Sequence, residues 1–479
     1  MAKIKGIKLN PACCAVDLSD GSERGQYVGQ DYILQKLGRL HRAVNIMYCY
    51  YPNDKTWPLR AQDAYKDMDV GFAWDYPYDN YFPYLGGIDG NTEGEPFTCM
   101  RDIRKHGQDV ILTLTCDPKV SDEQIIGVAK DLKPFGNMML RLNHECTGNW
   151  FSFNKRADYQ EIADFYVRFH RIVKEYAPNV SMILCAGAAE DKDSEKIDRE
   201  DEFLTAFKET EIWSIDKYIA LNWGWPYEVA EKDNDKHMRL PANYVYKMAK
   251  KTFARLKTLN NGKIKPMVLS ELNADGDVTG PYAQVKIMKD FCKLIKNEKD
   301  RWLSGFCFYQ FRDDGRLGLE ITDPNNPDVG IEQPMLKAYK EIISDDFFKP
   351  EITIGRNVKL PLTLNWRSSE DAEGIAIELD FEKDPVFAEA LFEGSLLEAN
   401  LIMELNGTWF YKAPGVKFVD FMPAFFNKRL KNGCKINLNI FAPPATGENL
   451  PEQGEGWDTA YQYEIKELPN IRLRYEKIC

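Results

Sequence analysis

Histidine is scarce, with five in 479 residues, and no two stand at the His-Glu-x-x-His spacing of a catalytic zinc helix. The eleven cysteines are odd in number and scattered. Only Cys13 and Cys14 are adjacent and no Cys-x-x-Cys pair occurs, so neither a structural zinc site nor any other metal centre is expected. Cys49, Cys116, Cys185 and Cys307 lie in or beside apolar runs and read as small buried hydrophobes. Reduced thiols of this kind suit an intracellular or anaerobic setting. Positive charge is in deficit: the net charge is −12 and the isoelectric point about 5.2, which argues against nucleic acid as a partner and leaves a neutral polymer unaffected. No apolar run approaches the ~18 residues of a membrane span. The segment Met1-Ala-Lys-Ile-Lys-Gly6 has no long apolar stretch. The expectation is therefore a cytoplasmic protein, or an exported one whose signal is absent from this sequence. No Gly-rich phosphate loop follows the first apolar run, no cofactor motif is visible, and neither a repeat nor a low-complexity tract is present.

What the chain has instead is a long alternation. Its length exceeds one ordinary core and accommodates a large barrel with a smaller domain. Apolar β-like runs occupy 4–9, 43–51, 110–115, 137–142, 181–186, 217–223, 265–270 and 305–311. Helix-like stretches fall at 30–41, 122–133, 158–176, 201–210, 244–259, 283–297 and 333–344. Eight such units predict an α/β fold, a (β/α)8 TIM barrel with loop insertions. A doubly wound open sheet is the second architecture, disfavoured by the missing phosphate loop. Residues 52–96 are too long for a routine connection. They carry many aromatics, Trp57, Trp74, Tyr76 and Tyr84 among them, which either wall a sugar cleft or pack the insertion onto the barrel.

Beyond 345–350 the pattern changes to near-period-two runs at 358–366, 375–381, 401–411, 416–423, 434–441 and 459–465, separated by turns rich in Gly, Asp, Asn and Pro. These predict a C-terminal all-β sandwich. The expected division is 1–348 for the catalytic barrel and 349–479 for the sandwich. Trp366, Trp409, Tyr411 and Trp457 lie in the second part, which either binds carbohydrate or buttresses the barrel.

The chemistry-bearing stretch is Met138-Met-Leu-Arg-Leu142. It stops in Asn143, His144 and Glu145, with Gly148 and Trp150 close behind. Polar groups at the end of a buried strand are costly unless paired or used, and the carboxyl ends of barrel strands are where catalytic groups sit. The run 265–270 likewise ends in a carboxylate, Glu271. Strands four and seven face each other across an eight-stranded barrel, so Glu145 and Glu271 can approach over its mouth. A retaining glycosidase needs such a pair about 5–5.5 Å apart, one nucleophile and one acid/base. Trp223 ends the sixth run, Trp225 and Tyr227 follow it, and Tyr309 stands in the eighth, where they would line a sugar subsite. The bland alternatives are a structural ion pair for Glu145, a helix cap for Glu271, and an orienting hydrogen bond for His144.

Arg141-Leu-Asn-His-Glu145 with Gly148, Trp150 and Phe151 resembles the acid/base motif of glycoside hydrolase family 26. Lys265-Pro266 leading to Glu271 is similar to its nucleophile strand, and the likeness spans roughly residues 1–345. The resemblance implies a clan A barrel and a retaining mechanism without cofactor, acting on polysaccharide or oligosaccharide, commonly β-1,4-mannan. It makes Glu145 the acid/base and Glu271 the nucleophile, with Arg141, Asn143, His144, Trp150, Trp223, Trp225, Tyr227 and Tyr309 around the substrate. Cys146-Thr147 departs from the family's Met-Asn, and strand five ends in Cys185-Ala-Gly rather than a Trp-rich run. The alternatives are another clan A β-glycanase, acting on xylan or β-glucan, and an inactive barrel that binds carbohydrate. The sequence carries no signal for oligomeric state.

Overall fold

The computed structural model describes residues 3–21, 26–54, 82–189, 196–222, 237–239, 241–426, 428–443 and 461–476. Eight parallel strands close on themselves: Ala15–Ser19, Ala43–Tyr50, Asp109–Cys116, Met138–Leu142, Val180–Cys185, Ile212–Asp216, Met267–Leu272 and Gly305–Phe308. Closure comes from the first two, where Leu18 pairs with Val44 and Ser19 with Asn45. Outer helices alternate with them, including Gln30–Leu37, Phe97–Lys105, Asp122–Leu132, Tyr159–Tyr176, Glu200–Glu209, Ala242–Leu259, Pro281–Asn297 and Pro334–Ile343. Two of them open with a capping box, Ser121 with Gln124 and Asp158 with Glu161, each satisfying two helix-end donors reciprocally. The protein is thus a (β/α)8 barrel followed by an all-β sandwich.

Inside the barrel the filling changes with height. Ala43, Ile111, Met139, Ile183 and Val268 form an apolar layer. Two residues further along their strands come Asn45, Thr113, Arg141, Cys185 and Ser270, all buried and mostly polar. The next step reaches the strand ends. Apart from Asp17 beside Ala43, polar side chains gather one layer beneath the mouth.

Two strand expectations are corrected. The run at 4–9 is not the first barrel strand. Ile4–Asn10 pairs antiparallel with Glu351–Asn357 on one side and Asp371–Phe381 on the other, inside the C-terminal sheet. Its alternation is that of a sheet with two differently packed faces, whereas Ala15–Ser19 is buried on both faces, as a barrel strand requires. The sixth barrel strand is Ile212–Asp216, not 217–223. The later run supplies Ala220–Asn222, which pairs with His237–Arg239 in a separate ribbon.

The sandwich sets one large antiparallel sheet against a small one built from Phe418–Asp420, Phe387–Leu391 and Asn470–Arg474. Leu364, Ile375, Phe392, Leu401, Met403, Phe421 and Ile440 fill the space between them. The run at 401–411 is two strands, Leu401–Leu405 and Thr408–Lys412, joined at Asn406-Gly407 with φ of 52° and 87°. Asn-Gly is the favoured pair for such a two-residue hairpin turn. The other face of the large sheet meets the barrel. Trp366 packs against Gly107, where an added Cβ would lie 2.9 Å from the indole. Ser369 donates to the Arg42 carbonyl at 2.6 Å.

Candidate active site

The stretch after Leu142 leaves the strand through two left-handed residues, Asn143 at φ 44° and Glu145 at φ 51°. Such conformations are uncommon outside glycine and must be held by their surroundings. Asn143 is held by its own amide, which accepts from Cys116 N at 2.6 Å and donates to Cys116 O at 3.1 Å. Its polar atoms thus tie strand four to strand three. Glu145 is held from the other side, where the Trp150 indole N–H donates to Oε2 at 3.0 Å. Gly148 makes that return possible, because a Cβ there would sit 2.5 Å from the Trp150 ring.

Arg141 is the hub. Its side chain is fully buried, and its three nitrogens donate to three partners: Nε to Thr113 Oγ1 at 2.8 Å, Nη1 to Asp216 Oδ2 at 2.9 Å, and Nη2 to Glu271 Oε1 at 2.7 Å. The second oxygen of Glu271 accepts the Tyr218 hydroxyl at 2.7 Å. His144 Nε2 lies 3.7 Å from Glu271 Oε1, and its ring packs on Phe151 at 4.8 Å. Asp216 also accepts from Ser270 at 2.6 Å, and Ser270 in turn meets Ser214.

Glu271 faces this cluster because strand seven is irregular. Leu269 pairs with Ile215 but Glu271 with Asp216, the next residue, so two steps on one strand meet one on its neighbour. Plain alternation would send Val268 and Ser270 inward and Glu271 outward. A bulge re-aims a side chain in this way.

The electrostatics separate the carboxyl groups. Burial, then the negative charges of Asp216 and Glu271, push the Glu145 carboxyl well above the usual carboxylate range, against the weaker pull of Arg141 and Trp150. Both influences favour the protonated form of the Glu145 carboxyl. Burial and the Arg141 charge hold His144 well below its ordinary value, so it is a neutral imidazole. His144, Asp216 and Glu271 each place a donor atom within 4.8 Å of the others, the spacing of a metal site. A guanidinium already bridges the two carboxylates, however, and supplies the positive charge that a cation would bring.

Of the residues singled out in the sequence, Arg141, His144, Glu145, Trp150 and Glu271 come together. Tyr309 is buried and meets Tyr218 edge to face at 5.7 Å. Trp223, Trp225 and Tyr227, like most of the 52–96 insertion, lie outside the described residues. Asp216 and Tyr218 were not anticipated. Ile212-Trp-Ser-Ile-Asp216 is an apolar run ending in a carboxylate, the same signal that marked Glu145 and Glu271, but the longer apolar run after it masked it.

No protein-family profile matches the chain, and no curated protein sequence does. Among solved structures, similar folds include a family 26 β-mannanase from Bacteroides ovatus, at 11% identity over 70% of this chain and 89% of that one, TM-score 0.42. A family 39 glycoside hydrolase from Bacteroides cellulosilyticus is 10% identical over 89% of this chain and 80% of its own, TM-score 0.42. A family 51 α-L-arabinofuranosidase from Bifidobacterium longum is 10% identical over 91% and 97%, TM-score 0.43.

Proposed function

We propose that the protein is a retaining glycoside hydrolase that cleaves a β-linked polysaccharide or oligosaccharide, with Glu271 as nucleophile and Glu145 as acid/base. The observation that carries this reading is the division of labour between two carboxyl groups at the barrel mouth. In one, burial and neighbouring negative charge favour the protonated form. The other has both oxygens gripped by donors, a guanidinium and a phenol. Environments that drive two carboxyl groups apart assign the acid and the base.

In the mechanism, Glu271 attacks the anomeric carbon while Glu145 passes its proton to the leaving oxygen. Once the glycosyl ester has formed, the negative charge of Glu271 is gone, and with it one of the influences that keep Glu145 protonated. Glu145 then deprotonates the incoming water, and the ester is hydrolysed. Arg141 and Tyr218 place the nucleophile. Neutral His144 orients the pair without carrying the proton. β-1,4-Mannan is the substrate that the motif resemblance favours.

The test is a panel of mannan, xylan, lichenan and laminarin oligosaccharides, with product size and anomeric configuration followed by NMR. A retained β-anomer and a fluorosugar adduct on Glu271 are expected, with mannan turned over fastest. An inverted product, or turnover by Glu271→Ala at the wild-type rate, would sink the mechanism. Fastest turnover of xylan or lichenan would overturn only the mannan assignment.

We further propose that residues 349–479 buttress the barrel, with the strand Ile4–Asn10 as part of that unit. Trp366 is fully buried and offers no face to a sugar, and the Trp409 ring stacks one face on Phe441 while its backbone donates to the Gly38 carbonyl of the barrel.

A further inference from the structure

The polar layer beneath the mouth contains a hydrogen-bond chain that runs from Arg141 away from the proposed catalytic pair. Arg141 Nε donates to Thr113 Oγ1 at 2.8 Å, Thr113 donates to Asn45 Oδ1 at 2.7 Å, and Asn45 Nδ2 donates to Ser19 Oγ at 3.3 Å. The four residues come from barrel strands four, three, two and one, and none is more than 2% exposed.

The direction of the chain is forced. A guanidinium only donates, so Thr113 must offer a lone pair to Nε and turn its own proton elsewhere. That proton goes to the amide oxygen of Asn45, which fixes the amide with its nitrogen toward Ser19. Because the guanidinium is planar, holding the Nε–H direction also fixes where the two Nη groups point. They point at Asp216 and Glu271.

Barrel interiors are ordinarily filled by branched apolar side chains, and the layer just below is apolar. Polar groups become the majority at the level of Arg141.

We propose that Thr113, Asn45 and Ser19 are positioning residues that aim the Arg141 fork at the nucleophile. This inference rests on the glycosidase reading above. It extends the site from the mouth down through four strands, to groups that touch neither substrate nor the reacting carboxylates.

The experiment replaces Thr113 by Val, which keeps the shape and removes the hydroxyl, and by Ser, which restores it, both in the full chain. Aryl β-mannobiosides and β-cellobiosides with good and poor leaving groups are the probes. Thr113→Val is expected to lower kcat/KM by about 10–100-fold, the scale of a small misplacement. The loss should fall on kcat, to the same extent for both leaving groups, because proton donation by Glu145 is untouched. Thr113→Ser should recover most of it. A second measurement needs no turnover. With ¹⁵N-arginine labelling, the Nε–H signal that disappears in Arg141→Lys should exchange slowly in the wild type and in Thr113→Ser, and rapidly in Thr113→Val.

Wild-type rates with unaltered exchange in Thr113→Val would overturn the proposal. So would a Thr113→Ser variant as impaired as Thr113→Val. Glu271→Ala with full turnover would overturn the reading of the pair, and this proposal with it. An inactive Glu271→Ala beside a fully active Thr113→Val would overturn this proposal alone.

Discussion

Glu145 is asked to give a proton and then take one back, and its surroundings explain why the first step is feasible at neutral pH. Because its protonated form is favoured by burial and by two negative neighbours, activity on the proposed reading should persist above the ordinary carboxylate range. Asp216→Asn removes one of those charges, so the alkaline limb of the kcat/KM profile should move to lower pH. Glu145→Gln should lower kcat/KM by about 10²–10⁴ on substrates with poor leaving groups and by much less on activated aryl glycosides, measured side by side. Gly148→Ala is a remote test of the same carboxyl, since the added methyl displaces Trp150 and the indole bond to Glu145 with it. About a tenfold loss of kcat/KM is expected, with circular dichroism unchanged. At this scale the sequence was informative at Glu145 and Glu271, where a carboxylate ends an apolar run, but not at Asp216, whose run is followed by a longer one. It was silent on Thr113 and Asn45, because a Thr or Asn within a strand reads the same whether it faces a guanidinium or a backbone.

At the scale of elements, the departures from the sequence reading have a common origin. Alternation and apolar content identify a strand but not its sheet. Ile4–Asn10 looked like a barrel strand because it is apolar and comes first, and only its pairing with Glu351–Asn357 and Asp371–Phe381 shows otherwise. The bulge before Glu271 is invisible to pattern for a related reason: period two is what it breaks. Asn406-Gly407, inside the run at 401–411, is itself a hairpin signal, and the structure turns there. Gly407 has a φ of 87° with open space at its Cβ position, so Gly407→Ala incurs backbone strain alone, about 1 kcal/mol. A fall of about one degree in the melting temperature of the joint transition is expected, with the kinetic constants unchanged.

For the whole molecule, the two parts are expected to melt together. Trp366, Ser369 and the Trp409 backbone hold the barrel from one side of the sheet, through Gly107, the Arg42 carbonyl and the Gly38 carbonyl. Removing a buried tryptophan side chain costs about 3–5 kcal/mol. Trp366→Ala should therefore lower a single calorimetric transition, and two separated transitions would show that barrel and sheet unfold independently. The placement of Ile4–Asn10 also has a bearing on biosynthesis. This strand leaves the ribosome before any barrel strand, yet both its neighbours lie beyond residue 350. At about 5–20 residues per second, on the order of tens of seconds pass between its synthesis and that of its neighbours, while the whole barrel sequence is made. Completing the C-terminal sheet thus requires a strand made before the barrel, and a molecule that carries the whole sheet reports that translation has run well past the barrel.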